Sequence, residues 1–415
     1  MRLRWILFLL ICLCAGGLLL RLIREEQILV SDEEYPLSPT IRVHLSSRKD
    51  QLEIKTRGTV LEVSMPMSDK PLIWDGKKSD YRYLIQRKQG RFIWGAGFAD
   101  NVPWIEFKPA QGRLEIEEGS YPGSLRLYPQ GEESMVLVNH VPLELYVGRV
   151  IQGESRLSWP QETLKAQAVA ARTYAFYQMQ KRRERIWDLT AGSRSQAYAG
   201  FDPGLPAHRA TLSTLALVLT QNDEVIPAYY VSTCGGHTTR VELAFPSAEP
   251  LPALAGVDCP FCVNSPYFQW QARISLTEAL SLLRVFHRQV SSFSACRVGS
   301  REGLRAGVVI FDTLPDGALS IASLDFRRRV NALKGRELVK SLNFEVSIVG
   351  EELVIDGKGW GYHGVGLCQY GSCEMGRRNA FFTEILSYYY PGASLKAAYR
   401  LPVEERVKGG GDKGE

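Results

Sequence analysis

Long apolar runs are scarce in this 415-residue chain. Only one, Trp5 to Leu20 extended by Leu22 and Ile23, approaches the roughly 20 residues that cross a bilayer core, so a protein with many membrane passes is excluded. A surplus of charge of one sign is also missing. The chain holds 50 Lys+Arg against 45 Asp+Glu, and the first 25 residues alone contain four Arg and one Glu, which leaves 46 basic and 44 acidic side chains beyond them. That near-balance excludes a polyanion footprint, and with it nucleic acid as a partner. Short basic clusters at Lys181-Arg182-Arg183 and Arg327-Arg328-Arg329 are explained by solvated helix ends. Nucleotide-binding signatures are absent too. The glycine-rich stretch Gly357 to Gly371 lacks the Lys-Ser/Thr ending of a P-loop, and no ribose-binding acid follows a strand-to-helix switch.

What is present begins with the N-terminus. Basic Met1-Arg2-Leu3-Arg4 leads into the apolar run, which reads as an uncleaved signal anchor spanning residues 5–23. A cleaved signal peptide is the rival, but Ala15-Gly16-Gly17 lies in mid-run and three leucines follow it. Arg2, Arg4 and the terminal amine outweigh Arg21 and Arg24 slightly, which places the rest of the chain on the extracytoplasmic face of the cytoplasmic membrane. The expected fold class is α+β. Residues 1–25 form the anchor, 27–150 a β-rich lobe, 151–402 a mixed α/β catalytic lobe, and 403–415 a charged, Gly-rich disordered tail. In the first lobe Thr40-Leu45, Leu52-Lys55, Val60-Ser64, Ser124-Tyr128 and Met135-His140 alternate apolar and polar with period two, which predicts strands.

The chemistry concentrates between Val150 and Gly200. A strand-like run from Met135 to Val150 is expected to end in a turn carrying Glu154. Ser158 and Gln161 form a capping-box pattern, and a helix runs from Glu162 through Tyr174. Lys165 and Arg172, seven apart, share one helix face, while Ala166, Ala168, Ala170, Ala171 and Ala175 let neighbouring backbone come close. An acid beside two cations suits sugar binding or proton transfer; a surface Glu with solvated partners is the plainer reading. Beyond the helix, Gln196 and Tyr198 are two apart on an extended segment and so face one side, where both can hydrogen-bond sugar hydroxyls or amides. The glycines around His363 allow positive φ angles and close approach of a polymer, presenting that imidazole from a tight turn with Gln369 nearby. Six cysteines lie beyond the anchor. Cys234-Gly-Gly-His237 and Cys259-Pro-Phe-Cys262 are two paired hooks with the spacing of a closed, structural Cys3His zinc site; disulfide bonding is the alternative in an exported protein.

Four motifs in order carry a resemblance: Gly153-Glu154 with Trp159-Pro160 and Leu164 to Tyr174; Ser195 to Gly200; Ala228 to Gly236; and Gly357 to Gly371. Together they resemble the stage II sporulation protein D family, whose other branch is the amidase enhancers, over roughly Ile41 to Tyr399. The resemblance implies a peptidoglycan lytic transglycosylase acting on glycan strands freed of stem peptides, with Glu154 as its acid. Lys165 and Arg172 stand at helix positions of its motif, and with Gln196, Tyr198, His363 and Gln369 they are the expected substrate-binding residues; the resemblance also supports a zinc near the site. One departure is Ser155-Arg156 where many members have Met-Pro, which alters the pocket wall.

The residues themselves agree with that chemistry. Glycoside hydrolysis asks for two carboxylates, and no second acid is tied to Glu154 by position; Asp188 and Asp258 have no such spacing. Transglycosylation needs only one, which protonates the leaving oxygen and then takes the proton of the sugar's own 6-hydroxyl as a 1,6-anhydro ring closes. Glu154 must then start protonated, so burial is expected to raise its pKa, and Lys165 and Arg172 are expected to bind substrate rather than pair with it. A non-catalytic enhancer that binds peptidoglycan or a cell-wall amidase is the alternative.

Overall fold

The computed structural model describes residues 38–399 except 57, 67–69, 75–80, 96, 193–194, 199–203, 316 and 336. The apolar run 5–23 and the tail 403–415 lie outside the described residues, within which no helix is long and apolar enough to cross a membrane.

The N-terminal half is built of strands because its apolar residues recur every second position, and one face of each strand is buried. Two sheets result. One orders Leu189–Thr190, Thr40–Lys49, Ser134–Pro142, Ser124–Gln130, Ile105–Pro109, Leu61–Ser64 and Leu72–Trp74; the other orders Gly119–Tyr121, Leu114–Ile116, Gln51–Lys55, Arg82–Lys88, Arg91–Trp94 and Gly97–Asp100. Thr40–Lys49 runs antiparallel to Ser134–Pro142 with a bulge between His44 and Ser46. On its other side it pairs in parallel with Leu189–Thr190, a strand supplied from beyond residue 150. That junction is stitched further. Asp188 accepts from the Arg42 backbone at 2.8 Å and pairs with its guanidinium at 2.6 Å, and Ala191 N–H donates to His44 O at 2.9 Å.

The strand expected to run to Val150 stops at Pro142. Leu143 to Glu154 is a helix, α1, so Glu154 is its last residue rather than a turn residue. The pattern misled because Leu143 through Ile151 are buried all round, leaving no amphipathic stripe. The boundary expected at 150/151 falls inside this helix. A second helix, α2, spans Gln161–Lys181. Its N-terminus carries no side-chain cap, so the Ser158–Gln161 capping box does not form; instead Trp159 N–H closes a turn onto Arg156 O at 2.9 Å. The alanines of α2 are buried as expected, and the helix crosses α1, Leu205–Leu212, Gln369–Arg377 and Phe382–Tyr389.

Two cores hold the second half. One gathers Ala166, Val169 and Ala170 of α2 with Val231, Val365, Leu367, Ile385 and Tyr389. The other sits between the sheets Gln269–Ser275/Glu352–Lys358/Asn343–Val349 and Ser292–Glu302/Arg305–Leu314/Gly317–Ala322 and the helices Leu276–Phe286 and Ser323–Lys334. A true capping box, Ser275 with Glu278, starts the first of these helices. All the described residues belong to one compact unit, Leu37–Glu415.

Candidate functional site

Glu154 ends α1 where the segment Ser195 to Tyr198 crosses it. A Cβ on Gly153 would lie 2.2 Å from Ala197 O, so only glycine admits that crossing. The close approach lets Ala197 N–H donate to Glu154 Oε1 at 2.7 Å. Gln369 Nε2 faces Oε2 at 3.4 Å. The Tyr230 hydroxyl, buried and without a hydrogen bond of full geometry, sits beside the carboxylate and Gln196. Burial raises the pKa of Glu154, and the three neighbouring donors pull only partly the other way.

The carboxylate lines a cleft of about 350 Å3 with Trp159, Ser232, Tyr267, Trp360, Gln369 and Tyr370. Its aromatic wall is continuous. Trp159 meets Tyr370 at 5.2 Å, Tyr370 meets Tyr267 at 5.6 Å, and Tyr267 meets Trp360 at 4.2 Å, each edge to face. The Lys340 ammonium lies 5.2 Å from the Trp360 ring, and Trp360 Nε1 donates to Glu337 at 2.8 Å, which fixes the indole. Arg156 also lines the cleft, but no second carboxylate does among the described residues. Such a wall, apolar in its faces with polar groups at one end, suits a pyranose chain.

Of the expected site residues, Glu154 and Gln369 line this cleft; the aromatic wall was not expected, since its members stand far apart in the chain with no common period. Other expected site residues lie elsewhere. Arg172 is fully buried: its Nε and Nη2 donate to Glu144 Oε1 and Oε2 at 2.7 and 2.6 Å, tying α2 to α1. It therefore cannot meet a polymer, contrary to expectation. Lys165 pairs with Glu162 at 2.6 Å and lies over Phe382, away from the cleft. Neither cation touches Glu154. Gln196 and Tyr198 do share a face, but it is the inward one. Gln196 accepts from Tyr146 OH at 2.8 Å and donates to Ala171 O at 3.1 Å, while Tyr198 donates to Asn139 Oδ1 at 2.7 Å. Both hold the crossing segment rather than face substrate. Asp188 is spent on Arg42.

Gly359, Gly361, Gly364 and Gly366 of this loop do take positive φ, but the close approach they permit is to the chain itself. A Cβ on Gly366, at φ +78°, would stand 1.9 Å from Tyr229 O, and one on Gly359 2.5 Å from Thr233 O. His363 Nδ1 accepts from Val365 N–H at 3.1 Å, and burial with the nearby Arg305 charge lowers its pKa to about 4.

The cysteines converge differently from the paired-hook expectation. Cys234, Cys259, Cys262 and Cys368 are buried, and their sulfurs all lie within 4.8 Å of one another. His237 is not among them; its side chain is 39% exposed and faces Asp258 at 3.9 Å. The fourth sulfur, Cys368, comes from the short strand Leu367–Cys368, which pairs in parallel with Tyr230–Val231 and so reaches Cys234. All six described cysteines are free of disulfides. Cys234 and Cys262 sulfurs stand 3.7 Å apart, close to the ~3.8 Å edge of a tetrahedron with ~2.3 Å zinc–sulfur bonds. Cys234 N–H points at Cys368 Sγ from 3.3 Å. The donor set fits a tetrahedral thiolate metal site.

Comparison with known proteins bears on these features together. A family model described as Stage II sporulation protein matches residues 131–221, which hold α1, α2 and Glu154. The chain is 33% identical over 279 residues to an uncharacterized protein of Brachyspira hyodysenteriae, covering 66% of this chain and 72% of that one. It is 27% identical over 325 residues to stage II sporulation protein D of Bacillus subtilis, covering 73% and 88%. An amidase enhancer of the same organism is 26% identical over 290 residues, covering 59% of this chain and 39% of that longer one.

Proposed function

The chain belongs to the stage II sporulation protein D and amidase enhancer family, and on that footing we propose that it is a peptidoglycan lytic transglycosylase with Glu154 as its only general acid and base. A cell-wall role follows from the membership. The finer reading rests on one observation: a carboxyl group raised in pKa by burial, touching no cation, lines an aromatic cleft that holds no second acid among the described residues.

The geometry suits both half-reactions. Oε1 is engaged by Ala197 N–H, so the acidic proton sits on Oε2, whose contact with Gln369 is the longer one. That proton goes to the glycosidic oxygen as the bond from C1 breaks. The resulting carboxylate is stabilised by the same N–H and amide donors, and it removes the 6-hydroxyl proton as O6 closes onto C1. No water enters the balance. The aromatic wall holds the strand, and lacking carboxylates that would grip stem-peptide amines, it suits bare glycan.

Cys234, Cys259, Cys262 and Cys368 hold a structural zinc in this proposal, with Cys368 taking the place expected of His237. Bound there, the ion supplies four closed bonds and no chemistry of its own. Ser232 and Gln369 directly follow the paired strands Tyr230–Val231 and Leu367–Cys368, so a metal held by Cys368 and Cys234 would steady one wall of the cleft. The run 5–23 anchors the enzyme in the cytoplasmic membrane with the described part outside, where the glycan is.

The test incubates the protein with purified glycan strands and looks for 1,6-anhydromuramyl ends by mass spectrometry. Products that vanish in Glu154→Gln, with the fold intact, support the enzyme. No products, with stimulation of a cell-wall amidase by both forms, would make it a non-catalytic enhancer.

A further inference from the structure

A second cavity, about 250 Å3, is lined by Tyr174, Ser195, Tyr229, Tyr230, Phe245, Tyr362 and His363. Tyr230, which lines it, sets its hydroxyl beside the Glu154 carboxylate, and two chain connections tie it to the Glu154 cleft. Tyr230 and Ser232 are two apart on an extended segment and face one side; Tyr230 lines the second cavity and Ser232 the first. Ser195 stands two residues before Ala197, whose N–H binds Glu154. The carboxylate is thus flanked by residues of both spaces. Together the two volumes fall within the ~300–1,000 Å3 usual for a ligand site.

The second cavity differs in chemistry from the first. Tyr229 stacks on Phe245 at 4.7 Å, and His363 stands 5.8 Å from each ring and 5.3 Å from Tyr362. Because His363 Nδ1 already accepts from Val365 N–H, the neutral imidazole carries its hydrogen on Nε2 and offers that atom as a donor. No carboxylate lines the space among the described residues. A ligand group filling it must pair an apolar end with a hydrogen-bond acceptor. An acetamide does both: a methyl for the stacked rings and a carbonyl for the imidazole. A free ammonium offers only donors, cannot accept from the imidazole, and finds no carboxylate among the described lining residues.

Resting on the glycan-cleaving reading above, we propose that this cavity is an acetamido pocket. It receives the 2-acetamido group of the N-acetylhexosamine next to the scissile bond, its methyl against Tyr229 and Phe245 and its carbonyl accepting from His363 Nε2–H. The pocket then makes the protein selective for N-acetylated over de-N-acetylated strands.

The test measures binding, with cleavage silenced by Glu154→Gln in the full chain, to purified glycan strands and to the same strands after chemical de-N-acetylation. Acetylated strands are expected to bind about tenfold more tightly, the worth of one hydrogen bond and its apolar contact. His363→Phe, which keeps a ring but removes the donor, and Phe245→Leu, which keeps bulk but removes the stacked face, should each narrow that preference to about twofold. Equal or tighter binding of de-N-acetylated strands, an unchanged preference in both variants, or no binding of either strand would overturn the pocket. Failure of the transglycosylase reading shows separately, as absence of anhydro ends from the unsubstituted protein while the binding preference persists.

Discussion

Replacing Arg172 with Met tests whether the cation of α2 is a strut or a ligand contact. Arg172 is 0% and Glu144 1% exposed, and the pair makes two parallel bonds at 2.7 and 2.6 Å. With the guanidinium gone, the Glu144 carboxylate keeps only Ala216 N–H at 3.2 Å and the Tyr399 hydroxyl, two neutral donors for a charge without access to water. Removing one member of a buried pair costs about 3–5 kcal/mol, a large share of the roughly 5–15 kcal/mol that holds a domain together. Met fills the aliphatic part of the space, so little of the loss comes from packing. Replacing both members, Glu144→Leu with Arg172→Met, removes the stranded charge and should recover most of the loss. Denaturant midpoints for the parent, the two single variants and the double variant give the cycle. A single variant as stable as the parent but impaired in glycan binding would refute the strut and return Arg172 to the substrate.

Three other outcomes follow. Glu154 has a folded-state pKa raised by burial, so the native state holds its proton more tightly than the unfolded chain; stability from this group is present at low pH and lost as pH rises through the raised value. Glu154→Gln should therefore be inactive yet more stable than the parent near neutrality, the difference fading on acidification, and parent activity should fall on the alkaline side as the acid ionises; thermal melts and rates across pH check both. Cys368→Ser should drop bound zinc well below the about one ion per chain expected of a closed site and lower the melting temperature, while His237→Ala leaves both unchanged by elemental analysis and calorimetry. Gly366→Ala places a Cβ 1.9 Å from Tyr229 O at φ +78°, so it should cost more than the roughly 1–2 kcal/mol of left-handed backbone alone, read as a lowered denaturation midpoint.

What could be read from the chain was whatever depends on neighbours in sequence. Period-two alternation placed the strands Gln51–Lys55, Leu61–Ser64 and Ser124–Gln130, and the alanine run placed α2 in contact with other backbone. Glu154 was picked out because it sits in one motif with Gly153, and two of the four clustered cysteines because Cys259 and Cys262 are three apart. Orientation was not legible. Gln196 and Tyr198 face one side in any extended segment, but which side depends on Asn139 and Tyr146, more than forty positions earlier. Arg172 turns inward because Glu144 awaits it on a helix that alternation disguised as strand. Cys368 replaces His237 only because the strand Leu367–Cys368 aligns beside Tyr230–Val231, a pairing no local spacing announces.

The parallel edge formed by Leu189–Thr190 against Thr40–Lys49 has a bearing on how this protein can be cut. The segment that donates Ala197 N–H to the acid is moored at one end by Arg42 and His44 and at the other by Asn139. A minimal fragment beginning at residue 151 would therefore discard most of α1 as well as the strands that moor the segment bonded to Glu154. The β half is thus a foundation of the Glu154 cleft, and trimmed versions made for screening should keep it whole.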